Sequence, residues 1–211
     1  MIIQKTRYTF VAGFLFTDNQ YSMNDFFDAI KTLSPLSTES RALFAGILER
    51  KEGKKGDVLI KAGSVCNYVY FIEKGLARTY YLKDGKEVTD WISMEKTFST
   101  SIVSFITRQP DRRTIELLED AILWAINYDD LEKLYKENHE IERFGRLLVS
   151  QGLVLMQQRF DDLHFASAHD RYKKLMELTP SIIQRVPLGM IASYLGITPE
   201  TLSRIRASFT F

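Results

Sequence analysis

The stretch "KKGDVLIKAGSVCNYVYFIEKGLARTYYLKDGKEVTDWIS", Lys54 to Ser93, most narrows what this chain can fold into. Its apolar runs are short and are broken by Gly56, Gly63, Gly75 and Gly85. Asp84-Gly85, between "ARTYYL" and "KEVTDWI", is a hairpin signal, because glycine supplies the positive φ that a tight turn demands. Strands of this length at this spacing predict a small antiparallel sandwich or barrel. A less regular piece, Met94 to Arg113, interrupts the pattern, and "TIELLEDAILWAINY" resumes it.

Helical periodicity flanks this region. Phe26, Phe27 and Ile30 precede Ser34-Pro35, and Leu43, Phe44, Ile47 and Leu48 follow it, with a helix start predicted at Ser37-Thr38-Glu39. From Asp129 onward the pattern stays helical. "YDDLEKLYKEN" is a short amphipathic helix and "HEIERFGRLLVSQGLVLMQQRFDDLHF" a long one. In the long helix Ile141, Leu148 and Leu155 repeat at sevens with Phe144 and Gln151 between them, approximating a coiled-coil seam. Leu147, Val154, Met156 and Phe160 form a second apolar flank. A helix apolar on two sides packs on two things, its own domain and something else: a second subunit is expected, and the alternative is a buried core helix.

The chain's last segment, "PLGMIASYLGITPETLSRIR", places two short amphipathic runs around one glycine. Ile191, Ala192 and Leu195 make one apolar stripe; Leu202, Ile205 and Phe209 make another. Gly196 suits the left-handed end of a helix and Ile197 the corner after it. Thr198 suits an N-cap, Pro199 the first helical position and Glu200 the positive helix end. At this spacing the elements together point to a DNA-binding helix-turn-helix. With Leu202 and Ile205 turned inward, Glu200 and Arg204 face outward beside Thr201 and Ser203. Arginine reads guanine O6/N7 and glutamate accepts from cytosine N4; Thr198, Thr201, Ser203 and Arg206 are placed to hold phosphates. The bland alternative is a surface ion pair four residues apart.

Charge and composition bound the rest. A formal net charge of +1 leaves no global basic field, so a nucleic-acid partner must be met by a local patch. One cysteine, Cys66, excludes an internal disulfide, a four-cysteine iron–sulfur cluster and a cysteine zinc site, which fits a cytoplasmic protein. The opening "MIIQKTRYTFVAGFLF" is too short to span a bilayer and lacks a cleavage site. Residues 1–22 are therefore expected to be an extension or loose arm. No phosphate loop, nucleophile elbow or paired His–carboxylate spacing is present, so neither an enzyme nor a metal site is expected.

Taken in order, "GDVLIKAGSVCNYVYFIEKGLARTYY", "DGKEVTDWI", the helix from Asn138 to about Phe160 and "IASYLGITPETLSRIR" resemble the cyclic-AMP receptor/fumarate–nitrate regulator (CRP/FNR) family of bacterial transcription factors. The resemblance runs from about Met23 to Arg206. It implies an α+β fold: a β-roll (jelly-roll) sensor with flanking helices over 23–137, a dimerisation helix over 138–162, and a winged helix-turn-helix over 163–211. It further implies a homodimer reading a near-palindromic operator in double-stranded DNA, with RNA polymerase as a further partner and no membrane.

Glu200 and Arg204 match the family's base-reading residues, whereas Pro199 stands where the best-known member has a second arginine. Only Ala207 to Phe211 follow Arg206, which leaves little for a full wing. In "TFSTSIVSFITRQPDRRTIELL", Thr100-Ser101 replaces the family's ribose-holding Gly-Glu pair. Asp111-Arg112 or Arg112-Arg113 falls where its phosphate-holding Arg-Ser pair belongs, and Arg113-Thr114 imitates that pair with a one-residue shift. The resemblance thus places a ligand pocket at Thr100, Ser101, Arg112 and Arg113 whose effector is unidentified and is not expected to be cyclic AMP. No cofactor is expected; His139, His164 and His169 lie outside the roll, as surface or interface residues and not haem ligands. The competing reading is a ligand-binding or protein-interaction module that has lost DNA binding.

Overall fold

A computed structural model describes residues 23–208. The readings made of residues 1–22 and of Phe209 lie outside the described residues. Helices α1 (Met23–Lys31) and α2 (Thr38–Ala45) come first. The predicted start of α2 holds: Ser37 caps it, its side chain accepting from the Ser40 N–H at 3.2 Å. Strands β1 (Leu48–Gly53), β2 (Val58–Ile60), β3 (Tyr68–Lys74), β4 (Ala77–Lys83), β5 (Lys86–Ser93) and β6 (Phe98–Ser99) follow. After helix α3 (Ile102–Thr107), strands β7 (Thr114–Leu117) and β8 (Ala121–Asn127) complete two four-stranded sheets. Their orders are β1-β8-β3-β6 and β2-β7-β4-β5, and every pairing is antiparallel. The β4–β5 turn is the expected one: Lys83 pairs with Lys86, and both Asp84 (φ 53°) and Gly85 (φ 74°) are left-handed.

The roll's core is formed by alternate residues of both sheets. Ile115 and Leu117 of β7 point in, while Thr114 and Glu116 stay partly exposed on the other face. Phe26 of α1 closes the core edge-on to Phe44 (5.3 Å) and Phe71 (5.1 Å), both fully buried. Each buried phenylalanine contributes about 1.5–3 kcal/mol through apolar burial.

Helix α4 (Tyr128–Glu137) leads into the long α5 (His139–Phe165). Asn138 caps α5 by accepting from the Ile141 N–H at 3.0 Å. The helix runs to Phe165, past the expected end at 162. Its final carbonyls are satisfied from outside, since Arg171 Nη1 donates to Asp162 O (3.3 Å) and Ala166 O (2.5 Å). Helices α6 (Ala168–Leu178), α7 (Ile182–Arg185), α8 (Leu188–Leu195) and α9 (Pro199–Ser208) follow. The implied wing has no strand among the described residues. None of the described helices is long and apolar enough to cross a membrane.

Candidate nucleic-acid interface and sensor pocket

Helices α8 and α9 meet at a corner whose geometry follows from its residues. Gly196 sits at φ 68°, ψ 34°, and the Ile197 N–H donates back to Ala192 O at 3.0 Å. Ala192 and Leu202 are fully buried where the helices cross. Thr198 caps α9, accepting from the Thr201 N–H at 3.2 Å. Because Leu202 is held inward, Glu200, Ser203, Arg204 and Arg206 are exposed, and Thr198 is exposed at the cap. Thr201 is half-buried, with its hydroxyl committed to Thr198 Oγ1 (3.2 Å) and to Arg204 Nη2, which donates at 3.3 Å. Thr201 therefore orients Arg204, a role the sequence reading missed. Glu200 is held below the usual carboxylate range by its own backbone N–H and by Thr198, with Arg204 adding to the effect, so it is ionised at neutral pH. An acceptor and a fork of donors thus project one helical turn apart.

The seam expected on α5 needs correction. Ile141 is fully buried and Phe144 is 2% exposed, both inside the roll's own core. Phe144 stands 5.6 Å from Phe44 and 6.2 Å from Phe98, so neither side chain can meet a second subunit. Leu148 packs against the same core; Gln151 is exposed and Leu155 half-buried. The exposed apolar line is instead Val149, Leu153, Met156, Phe160 and Leu163. Those positions are spaced four, three, four and three, the repeat of a two-helix seam. The signal was in the sequence. Both registers are apolar, however, and the pattern does not say which one the roll consumes.

The sensor residues are only partly brought together. Thr100 Oγ1 is turned away, donating to Tyr68 O at 3.0 Å, and Arg112 is exposed over the Tyr81 ring at 5.2 Å. These two are corrected: neither converges on a pocket. Ser101 and Arg113 do converge, on a carboxylate of the chain itself. The Ser101 hydroxyl donates to Asp111 Oδ2, Arg113 Nη1 donates to the same oxygen at 3.1 Å, and the Arg112 N–H reaches Asp111 Oδ1 at 2.7 Å. Arg113 Nε is held by Asp90 Oδ2 at 2.6 Å. Burial alone would raise the Asp111 pKa, but Ser101 and Arg113 outweigh it and keep the carboxyl below its ordinary value of 3.8. Neither Asp111 nor Asp90 was recognised as a partner from sequence; Asp90 lies on β5, which meets the loop before β7 only in the closed roll. An incoming phosphate would have to displace Asp111 and face Asp90.

Residues 50–138 match the family model for the cyclic nucleotide-binding domain. An anaerobic regulatory protein of Haemophilus influenzae is 27% identical over 179 residues, which cover 77% of this chain and 68% of the relative. A cAMP-dependent protein kinase regulatory subunit of Debaryomyces hansenii is 31% identical over 110 residues. That match covers 52% of this chain but spans only 24% of the kinase subunit. Among solved structures, a protein of Eubacterium rectale assigned to the crp/fnr transcriptional regulators superposes with a TM-score of 0.64 at 21% identity. The superposition covers 82% of this chain and 83% of that one.

Proposed function

We infer, from a chain that carries a cyclic nucleotide-binding domain and shares the fold of the crp/fnr transcription regulators, that it is a sequence-specific DNA-binding regulator acting as a homodimer. The observation carrying this reading is the pair of exposed, oppositely charged readers on α9, Glu200 and Arg204, with Thr201 orienting the second. In a dimer joined along Val149, Leu153, Met156, Phe160 and Leu163, two copies of α9 would enter successive major grooves about one duplex turn, ~34–36 Å, apart. Thr198, Ser203 and Arg206 would hold phosphates on either side. The match to the Haemophilus anaerobic regulatory protein, which covers 77% of this chain, supports this over a module without DNA binding. RNA polymerase is the further partner such a regulator would meet, in the cytoplasm.

Binding selection from random duplexes tests the reading. A near-palindromic consensus with two half-sites is expected; binding indifferent to sequence overturns it.

The effector is not a cyclic nucleotide in this reading, because Arg113 is already neutralised by Asp111 and Asp90. Saturating cyclic AMP or cyclic GMP is expected to leave the Tm unchanged, since a ligand raises Tm only by binding the folded state. A clear rise with either nucleotide would refute this. Asp111→Asn is expected to cost about 1–3 kcal/mol of stability through the lost charged hydrogen bonds. The sign with pH follows from the lowered pKa. Asp111's contribution is complete above 3.8 and disappears as pH falls through its lower folded value. Acid denaturation of Asp111→Asn should therefore show a shallower fall below about pH 4 than wild type.

A further inference from the structure

Helix α8 is held at two places. It lies across β5, an edge strand, where the Thr89 N–H donates to Ser193 Oγ at 2.9 Å. This closes a backbone donor that an edge strand would otherwise present to solvent. Beneath it, Arg78 is 2% exposed and donates to Thr89 Oγ1 (2.9 Å), Glu87 (2.6 Å) and Glu116 (3.1 Å). The far end of α8 is held by α5 and α6: Arg159 Nη2 donates to Tyr194 O and Arg171 Nε to Leu195 O, each at 2.9 Å.

A separate contact with the roll lies at the end of α7. Arg185 forks onto two carboxylates of the roll, each with two contacts. Nη1 and Nη2 reach Glu95 at 2.9 and 2.6 Å; Nε and Nη2 reach Glu119 at 2.9 and 2.6 Å. Glu95 is itself fixed, accepting from the Gly75 N–H at 3.0 Å. Arg185 is 22% exposed and Glu95 12%, so the bridge is partly withdrawn from screening water. Leu76 and Leu118 of the roll are buried in one apolar cluster with Ile182, Val186 and Ile191 of the helical unit. The Arg185 bridges, the Thr89–Ser193 bond and this apolar cluster join the two units. They also leave the outer face of α9 uncovered.

We propose that this junction is a positioning latch: Arg185, bridging Glu95 and Glu119, together with Ser193 of α8, bonded to Thr89 of β5, fixes the DNA-reading unit against its own roll and so sets the spacing of the two reading helices in a dimer. The proposal rests on the DNA-binding reading above. Two tethered readers gain on a palindrome only if the second arrives where its half-site lies; a swinging unit dilutes that effective concentration. A single half-site is indifferent to spacing. Arg185 and Ser193 are therefore positioning residues whose loss is felt on the full site alone.

Full-length Arg185→Ala, the pair Glu95→Gln/Glu119→Gln, and Ser193→Ala test it. Affinity is measured on the selected duplex and on a duplex carrying one half-site, and amide hydrogen exchange at Thr89 is measured without DNA. Full-site affinity is expected to fall roughly tenfold for Arg185→Ala and the glutamine pair, within the usual range of coupling between sites. Half-site affinity should stay within about twofold. Combining the arginine and glutamine changes should add little, because both remove the same bridge. Thr89 exchange should accelerate in every variant. Equal losses on both duplexes, unchanged full-site affinity, or undisturbed Thr89 exchange overturns the latch. If wild type shows no sequence preference, the regulator reading fails, and the exchange result still decides whether the units are latched.

Discussion

Replacing Arg204 with alanine is expected to weaken binding to the selected duplex by about 2–6 kcal/mol, since a lost bidentate base contact costs about 1–3 kcal/mol and a dimer carries the change twice. That is roughly one and a half to four decades in Kd. The side chain is exposed and packs on nothing inward, so Tm should not move. Arg204→Lys should recover little, because an ammonium cannot reproduce the planar fork. Glu200→Ala should relax the preference at the base pair it faces more than it lowers total affinity. The measurement is a titration at fixed salt against the selected duplex and a scrambled one, since phosphate contacts alone depend steeply on salt. A loss of equal size on both duplexes would mean that Arg204 holds phosphate and reads no base.

The second large effect separates the two faces of α5. Phe144→Ala is expected to destabilise the fold by about 3–5 kcal/mol, the cost of emptying a phenylalanine site in a packed core. Phe144 closes on Phe44 and Phe98 within its own subunit, so this penalty belongs to each subunit separately. Leu153→Glu should do the opposite. Leu153 is 68% exposed, so a charge there leaves the isolated subunit intact but cannot be buried unpaired in a helix–helix seam. Sedimentation should show dimer converting to monomer, with the subunit's circular dichroism kept. Full-site DNA affinity should fall with it, as two linked contacts become one. A Leu153→Glu protein that stayed dimeric would remove the seam from this face of α5.

The corner between α8 and α9 was legible because its determinants are neighbours in the chain. Gly196, Thr198 and Pro199 act through backbone torsions and caps that span a few residues. The Asp84-Gly85 hairpin and the Ser37 cap are readable for the same reason. The exposure of Glu200 and Arg204 on α9 also follows from local periodicity once Leu202 is turned inward. The seam expected on α5 included Ile141 and Phe144, which the roll's own core consumes, because heptad spacing marks apolar faces without saying what each one covers.

The sequence alone determined where the strand-rich and helix-rich stretches lie, the Asp84-Gly85 turn, the α8–α9 corner and the chemistry displayed on the last helix, since these depend on torsions and contacts within a turn or two. Its periodicity carries Ile47 and Leu48 into a helix, whereas Leu48 opens β1, and it leaves β6 and α3 as an irregular piece. Only the tertiary structure decided that Phe144 belongs to the roll, that Asp90 of β5 holds Arg113, and that Arg185 of α7 reaches Glu95 and Glu119. Phe144 lies 100 positions from Phe44, and Arg185 lies 90 from Glu95. Burial and ion pairing act through space and carry no periodicity along the chain, so they become visible only when closure of the roll brings distant segments within a few ångströms.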